Sequence, residues 1–476
     1  MISIRILSRV IIALFLALIT VSFVPGTEKA NSTIVFTHVN VIPMDSERVI
    51  EDCSVLIEDG LIREIQSSSS YKVPEFATEI DARGKYLIPA LSDMHVHLEG
   101  QAWNIMYPPG SGYSEQEIIY EDLLFMYVAH GITTIEVMSA FPELIAIREQ
   151  IQNKELIGPR MVLSRMIDCD GKAWPPPICT WVNNEEEAGQ AVIDAHKLGY
   201  DRIKVYSFLD EAFYKTILST AKELDMPVDG HIPFSVGVEG VITEGQNMIA
   251  HAEEVMKFAS DFSPEQIDYY SSLLANSDTW LTATLVTSRN LIALLDHPEQ
   301  ELSKAGTEYL HPQGMDLWNY INQNLYAPIP EAHREYIRNG LDSFQVPFIT
   351  EYHLKGGKLL AGTDALIPPT LPGSSLHDEL EELVNAGLSP YESLRVSTTY
   401  SHLFLEEINL AGTIEPGKTA NLVLLEENPL DDISHTRTIA GVMIQGQWIS
   451  KDQIDERLEQ IKGSYADLIN VKSTAQ

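Results

Sequence analysis

Two histidines one residue apart, His95 and His97 in DMHVHLEG, close an apolar run, KYLIPAL, that reads as a buried strand. Residues i and i+2 of a strand face the same way, so both rings aim at one spot. Two imidazole nitrogens placed like this can serve one metal ion. Four more polar groups stand at or near the ends of apolar runs: Lys204 in IKVY, His231 in GHIP, His251 in IAHAEE and Asp364 in GTDA. Singly, each has a plainer reading as a solvated rim histidine, a snorkelling lysine or a helix-capping aspartate. Their joint occurrence at strand ends is what points to a metal site.

The elements that must carry these groups are legible as eight apolar runs: YLIPALSDMHV, ITTIEVM, RMVLSRMI, DRIKVYSF, MPVDGHI, NMIAHAEE, WLTATLV and KLLAGTDA. Helical stretches such as EEEAGQAVIDAHKLG and DEAFYKTILSTAKEL lie between them. Eight strand–helix units favour a closed parallel (β/α)8 barrel, the TIM barrel, whose chemistry sits where strands hand over to helices. The six groups fall on the first, fourth, fifth, sixth and eighth runs and would share that rim. An open doubly wound sheet is the alternative, but no glycine-rich phosphate loop follows the first run. Before the eighth run lie roughly 70 residues of helical pattern, expected to cover one face of the barrel.

Short strands at 33–88, with Asp59-Gly60 as a hairpin signal, and again at 411–450 read as one small β-unit built from both chain ends. The expected division is a signal peptide at 1–26, a composite β-sandwich from 31–88 and 407–450, the barrel at 89–406 and a helical tail at 451–476. Arg5 and Arg9 precede a largely apolar stretch of 15 residues, Val10 to Val24. That is short of the ~20 residues that span a bilayer. It therefore reads as an export signal for a periplasmic or secreted protein, with an uncleaved membrane anchor as the alternative. Asp and Glu number 68 against 32 Lys and Arg, a net charge of −36, which repels phosphate backbones and argues against nucleic acid as a partner. Of three cysteines, Cys169 and Cys179 bracket the loop CDGKAWPPPIC and could close it as a disulfide, while Cys53 reads as a buried thiol.

The motifs HVH after an LIPAL strand, IKVY, GHIP, IAHAEE, GTDA and the closing GTIEPGKTANLVLLEENPL resemble the metal-dependent amidohydrolase superfamily. The nearest likeness is its imidazolonepropionase and prolidase-like branch, over about residues 34–450. The resemblance implies a (β/α)8 barrel beside a composite β-sandwich. It implies one divalent ion on His95, His97 and Asp364, a second on His231 and His251, and Lys204 bridging them as a carbamate. Zinc suits these nitrogen and oxygen donors best, with manganese, iron or cobalt also compatible. The reaction implied is hydrolysis of an amide or peptide-like C–N bond by a metal-activated hydroxide, with Asp364 moving the proton. Tyr206 shares the face of Lys204 and would either hydrogen-bond the oxyanion or simply line the barrel.

A small substrate is expected, a dipeptide or an N-acyl amino acid. Alternatives on the same site are a cyclic amide, an amidine deaminated to ammonia, a lactone or an organophosphate ester. A non-catalytic secreted binding protein is a further alternative, and would be expected to have lost ligands that are all present here. Trp103, Tyr107, Trp174 and Trp181, on the loops after the first and third strands, either wall an apolar pocket or pack those loops. Arg165, Lys172 and His377 are the candidate cations for a substrate carboxylate. His130 precedes the second strand, points away from the catalytic end and reads as structural. A homo-oligomer is compatible with all of this.

Overall fold

The computed structural model describes residues 33–98 and 119–475. From the N-terminal side come β1 (Thr33–Val41), β2 (Ile50–Glu58), β3 (Leu61–Ser67), β4 (Thr78–Asp81) and β5 (Tyr86–Pro89). Asp59 and Gly60 stand at φ 54° and 77°, the pair of left-handed residues that a tight two-residue hairpin needs, and they join β2 to β3. The chain then enters a second, parallel sheet. Its strands are β6 (Leu91–Val96), β7 (Ile132–Val137), β8 (Arg160–Cys169), β9 (Thr180–Val182), β10 (Arg202–Val205), β11 (Val228–Gly230), β12 (Met248–Ala250), β13 (Trp280–Thr282) and β14 (Leu359–Leu360). Finally β15 (Leu422–Leu425), β16 (Ile439–Ile444) and β17 (Gln447–Ser450) return to the first sheet, in the order β17-β16-β15-β5-β1-β2-β3 with β4 beside β1. That sheet encloses its own core of Phe36, Val55, Leu87, Leu422 and Met443.

The parallel sheet is the expected barrel, with all eight apolar runs supplying its strands in the order β6-β7-β8-β10-β11-β12-β13-β14 and β9 added beside β8. Its seam is drawn together by Met94 N–H to Ala361 O (3.0 Å), Asp364 N–H to His95 O (2.8 Å) and a bridge between Val96 and Ala365. The first run differs from expectation in being divided. Tyr86–Pro89 pairs with β1 and β15, and only Leu91–Val96 belongs to the barrel. Pro89 has no N–H to continue a ladder, and the next amide, Ala90, bonds Asn421 O at 2.9 Å.

Alternation along each strand sorts the two faces. Ile203 and Val205 of β10 join the main core with Val192 and Ile217 of the surrounding helices. Arg202 and Lys204 take the other face and are buried, Arg202 against Asp229 and Glu136. The helices begin on side-chain caps: Asn184 accepts from Glu187 N–H before Glu185–Leu198, and Asp210 from Ala212 N–H before Glu211–Glu223. Between β13 and β14 the long insertion forms several helices, among them Leu285–Asp296, Pro312–Ile321, Glu331–Gly340 and Val346–Leu354. Buried Trp318 fastens this insertion to the loop after β14 by donating to Leu366 O at 2.8 Å. Helix Lys451–Ala475 packs on the main core through Ile454, Ile461 and Tyr465.

The three cysteines carry free thiols, so the loop that Cys169 and Cys179 bracket is not closed by the disulfide its spacing would allow. Cys169 packs toward the helices, while Cys179 turns the other way into a cluster with Trp174, Trp181 and Tyr206. Cys53 is buried on β2, as its strand-like sequence suggests. Among the described residues no helix is long and apolar enough to cross a membrane. The expected signal peptide, 1–26, lies outside the described residues.

Gly230 shows how closely the site is packed. It stands at φ 124°, and a Cβ there would lie 2.2 Å from Val205 O and 3.0 Å from Lys204 Cγ. Gly230→Ala is expected to destabilise the fold by about 3 kcal/mol or more. Gly84→Ala, also left-handed but with nothing within 4 Å, is expected to cost only about 1 kcal/mol. Urea unfolding of the two variants checks the contrast.

Candidate active site

Five barrel strands deliver the six polar groups to one place. His95 lies on β6 and His97 just beyond it; Lys204 lies on β10; His231, His251 and Asp364 follow β11, β12 and β14. Asp364 Oδ1 stands 2.9 Å from His97 Nε2 and 3.2 Å from His95 Nε2. Lys204 Nζ is 3.4 Å from His95 Nε2. The His251 ring lies 4.4 Å from that of His95 and 5.1 Å from that of His231, centroid to centroid. One ligand atom each of His95, His251 and Asp364 can be chosen with all three within 4.8 Å of one another. Apart from the fully buried His95, these groups line a cavity of about 220 Å³.

Behind the cavity the outer imidazoles are fixed by their Nδ1 atoms. His97 Nδ1 meets Ser139 Oγ at 2.8 Å, and His251 Nδ1 meets Thr284 Oγ1 at 2.8 Å. His231 Nδ1 lies 2.9 Å from Ser207 Oγ and 3.0 Å from Glu254 Oε1. Such partners orient a ring and leave its Nε2 for a ligand. Burial holds His95 and His231 below the ordinary imidazole range and pushes His251 down to about 3. Burial thus favours the neutral form of all three, the form in which imidazole binds a cation. Burial works against the charge on Asp364, but His251, His95 and His97 outweigh it and hold the carboxyl well below its usual range.

The backbone at this rim is unusual. His251, Thr284 and Asp364 all adopt left-handed conformations, at φ 70°, 49° and 55°. Residues other than glycine keep such angles only where the surroundings over-determine them. Here the surroundings are visible. The buried Asp93 carboxylate accepts Thr363 Oγ1–H (2.6 Å), Thr363 N–H (3.0 Å) and His95 N–H (3.3 Å), tying the first strand to the residue before Asp364. Buried Glu379 accepts Val286 N–H at 2.8 Å and so holds the turn after Thr284.

The residues expected to meet substrate divide. Trp174 lines the cavity and gives its indole N–H to Tyr206 Oη at 3.0 Å, and Tyr206 stacks on His231 with centroids 4.0 Å apart. Trp181 packs behind, donating to Trp174 O at 2.7 Å. Arg165 is occupied with the same loop, through Thr180 Oγ1 and Pro177 O, each at 2.8 Å. His377 is buried beside His130 and bonded to Thr436 Oγ1 at 2.9 Å, and Lys172 is exposed. Neither these two nor Arg165 lines the cavity. Trp103 and Tyr107 lie outside the described residues.

Sequence reasoning missed Lys257. It lines the cavity with Glu253, and its Nζ lies 2.6 Å from Glu254 Oε1 and 3.3 Å from Glu253 Oε1. Its place six residues after His251, following two glutamates at helical spacing, was the available signal. Burial opposes the charge on Glu254, yet His231 and Lys257 hold it well below the usual carboxylate range. On Lys257 burial is outweighed by Glu253 and Glu254, which hold the ammonium above its usual value.

Residues 86–449 match the amidohydrolase family, and the chain belongs to that family. Membership makes it a hydrolase acting on carbon–nitrogen bonds, in a family that is generally metal-dependent. Among solved structures it is similar to a Xaa-Pro dipeptidase with methionine in its active site, at 21% identity and a TM-score of 0.68, over 88% of this chain and 100% of the other. It is also similar to bottromycin amidohydrolase, at 19% identity and a TM-score of 0.68, over 91% of this chain and 90% of that one. A prolidase complexed with N-methylphosphonate-L-proline aligns at 18% identity and a TM-score of 0.65, over 88% and 100% of the two chains. These likenesses show the shared fold. No curated protein sequence matches significantly.

Lys257→Met would leave the buried Glu254 charge short of its cation. A loss of about 2 kcal/mol is expected in urea unfolding, with part of it recovered in the Glu254→Gln/Lys257→Met double variant.

Proposed function

We propose that this protein hydrolyses an amide or peptide-like C–N bond of a small, partly apolar substrate such as a dipeptide or N-acyl amino acid. The observation that carries this reading is the convergence of four imidazoles, Lys204 and Asp364, with the Nδ1 atoms of His97, His231 and His251 already committed to fixed partners. The donor set fits divalent cations. Nδ1 of the buried His95 has no partner among the described residues, and three ligand atoms gather within 4.8 Å. His95, His97 and Asp364 would hold one ion and His231 and His251 a second, zinc suiting these donors best. Lys204 would join them as a carbamate, formed when its neutral amine adds to carbon dioxide and loses a proton. When bound, the ions would lower the pKa of a water and polarise the substrate carbonyl.

The remaining work falls to this chain's own side chains. Asp364 accepts the proton of the attacking water and delivers it to the departing nitrogen. Tyr206 gives its O–H to the carbonyl oxygen as charge develops there. Met166, Ile178, Leu317, Ile321, Leu366 and Ile367 form an apolar wall that excludes water and receives an apolar substituent. A substrate carboxylate would meet Lys257, which lines the cavity where Arg165, Lys172 and His377 do not, and would share its ammonium with Glu253 and Glu254. In the same reading, residues 1–26 direct export, and 31–88 with 407–450 form a unit beside the 89–406 barrel.

The test is a screen of Xaa-Pro dipeptides, N-acyl amino acids, cyclic ureides and aryl esters, with elemental analysis of the protein. Turnover is expected on one of the first two groups, with two ions per chain. Lys204→Ala is expected to lose bound metal and at least ~1,000-fold of turnover; if it kept both ions and full activity, the bridging role would fall. Thr284→Val, which removes the partner of His251, is expected to weaken metal binding roughly 10- to 100-fold in a chelator competition.

A further inference from the structure

The oxygen of Tyr206 accepts the indole N–H of Trp174 at 3.0 Å. A phenol has one proton to give. An N–H aimed at its oxygen occupies a lone pair and repels that proton, which must turn away from the indole. One face of the Tyr206 ring is covered by His231, and the residue otherwise borders the cavity. We propose that Trp174 is a positioning residue, whose N–H turns the Tyr206 hydroxyl proton toward the substrate carbonyl oxygen. This rests on the amide-hydrolysis reading above and adds to it a residue that never transfers a proton itself.

The indole is held on a rigid frame. Its own carbonyl accepts Trp181 Nε1–H at 2.7 Å, and Arg165 fastens the far end of the loop at Pro177 and Thr180. Phe141 and Cys179 pack in the same cluster as the two indoles, and Met166 and Ile178 carry it into the cavity wall. A donor fixed before the substrate arrives needs no reorganisation while charge develops, and such pre-set dipoles act most strongly where water is excluded. The same frame gives Arg165 and Trp181 a purpose without substrate contact. They keep Trp174 in place, and Trp174 sets the direction in which Tyr206 donates.

The experiment uses the zinc-loaded full chain and the amide that the wild type turns over best. Trp174→Phe keeps the aromatic wall and removes the N–H. It is expected to lower kcat roughly 10- to 100-fold while KM moves less than about threefold. Calorimetry on a tetrahedral phosphonate analogue of that amide should show the same loss, with binding of the carboxylate product unchanged. In a Tyr206→Phe background, Trp174→Phe should add less than about threefold, because the group it orients is gone. Trp181→Phe, which removes the hydrogen bond to Trp174 O and none to Tyr206, should give a smaller loss that also vanishes in that background. The assignment is overturned if Trp174→Phe matches the wild type in kcat and phosphonate affinity, or if its effect persists undiminished without the Tyr206 hydroxyl. A metal-loaded wild type that hydrolyses no amide would remove both readings together, which separates the two failures.

Discussion

A barrel interior offers polar groups little water, so each must find a partner or pull its neighbours into an arrangement that supplies one. This constraint governs the catalytic end of the molecule. Four imidazoles, an amine and a carboxylate are turned toward one another, and burial favours the uncharged forms of His95, His231 and His251. Surrounding hydroxyls and carboxylates then take up one nitrogen of each outer ring. The cost of this crowding is visible in the backbone, where His251, Thr284 and Asp364 hold left-handed angles and buried carboxylates anchor the chain beside the last two. A site so constrained has its donors aimed before any ligand arrives.

Around that centre the fold separates support from chemistry. Apolar residues on the outer face of each strand lock the barrel to its helices, while the inner face carries Arg202, Asp229 and Glu136 beneath the site and the six candidate ligands at the rim. The insertion before β14 brings Leu317 and Ile321 over the cavity, and Trp318 anchors it at Leu366 O. The helices expected to cover one face of the barrel thus also shape what the cavity admits.

How much of this was legible depended on how local each signal was. The eight strands could be read because their apolar runs are short and separated by helical periodicity. The six rim residues could be picked out because a metal site needs particular residue types at strand ends. Ser139, Ser207 and Thr284 were invisible, because hydroxyl residues are common and their value lies in standing opposite a ring from another strand. Lys257 was overlooked because its importance comes from facing the cavity rather than solvent. Arg165 and His377 are candidate cations for a substrate carboxylate because Arg165 lies on a barrel strand and His377 follows one, yet the loop after β8 folds back to engage Arg165 and helix packing buries His377. The division of the first run escaped notice because its apolar pattern continues unbroken through Ala90, and only the partners on each side change.

That division has a mechanical outcome. A single stretch of extended chain, Tyr86 to Val96, is gripped by β1 and β15 at one end and by β7 at the other, with the first imidazole seated at its far tip. Any sliding of one sheet against the other would be transmitted along that stretch as a lengthwise displacement of His95, with no loop between them to absorb it. The smaller sheet thereby acts as a fixed mount for the catalytic rim, and trimming the chain ends would loosen the ligand set from a distance.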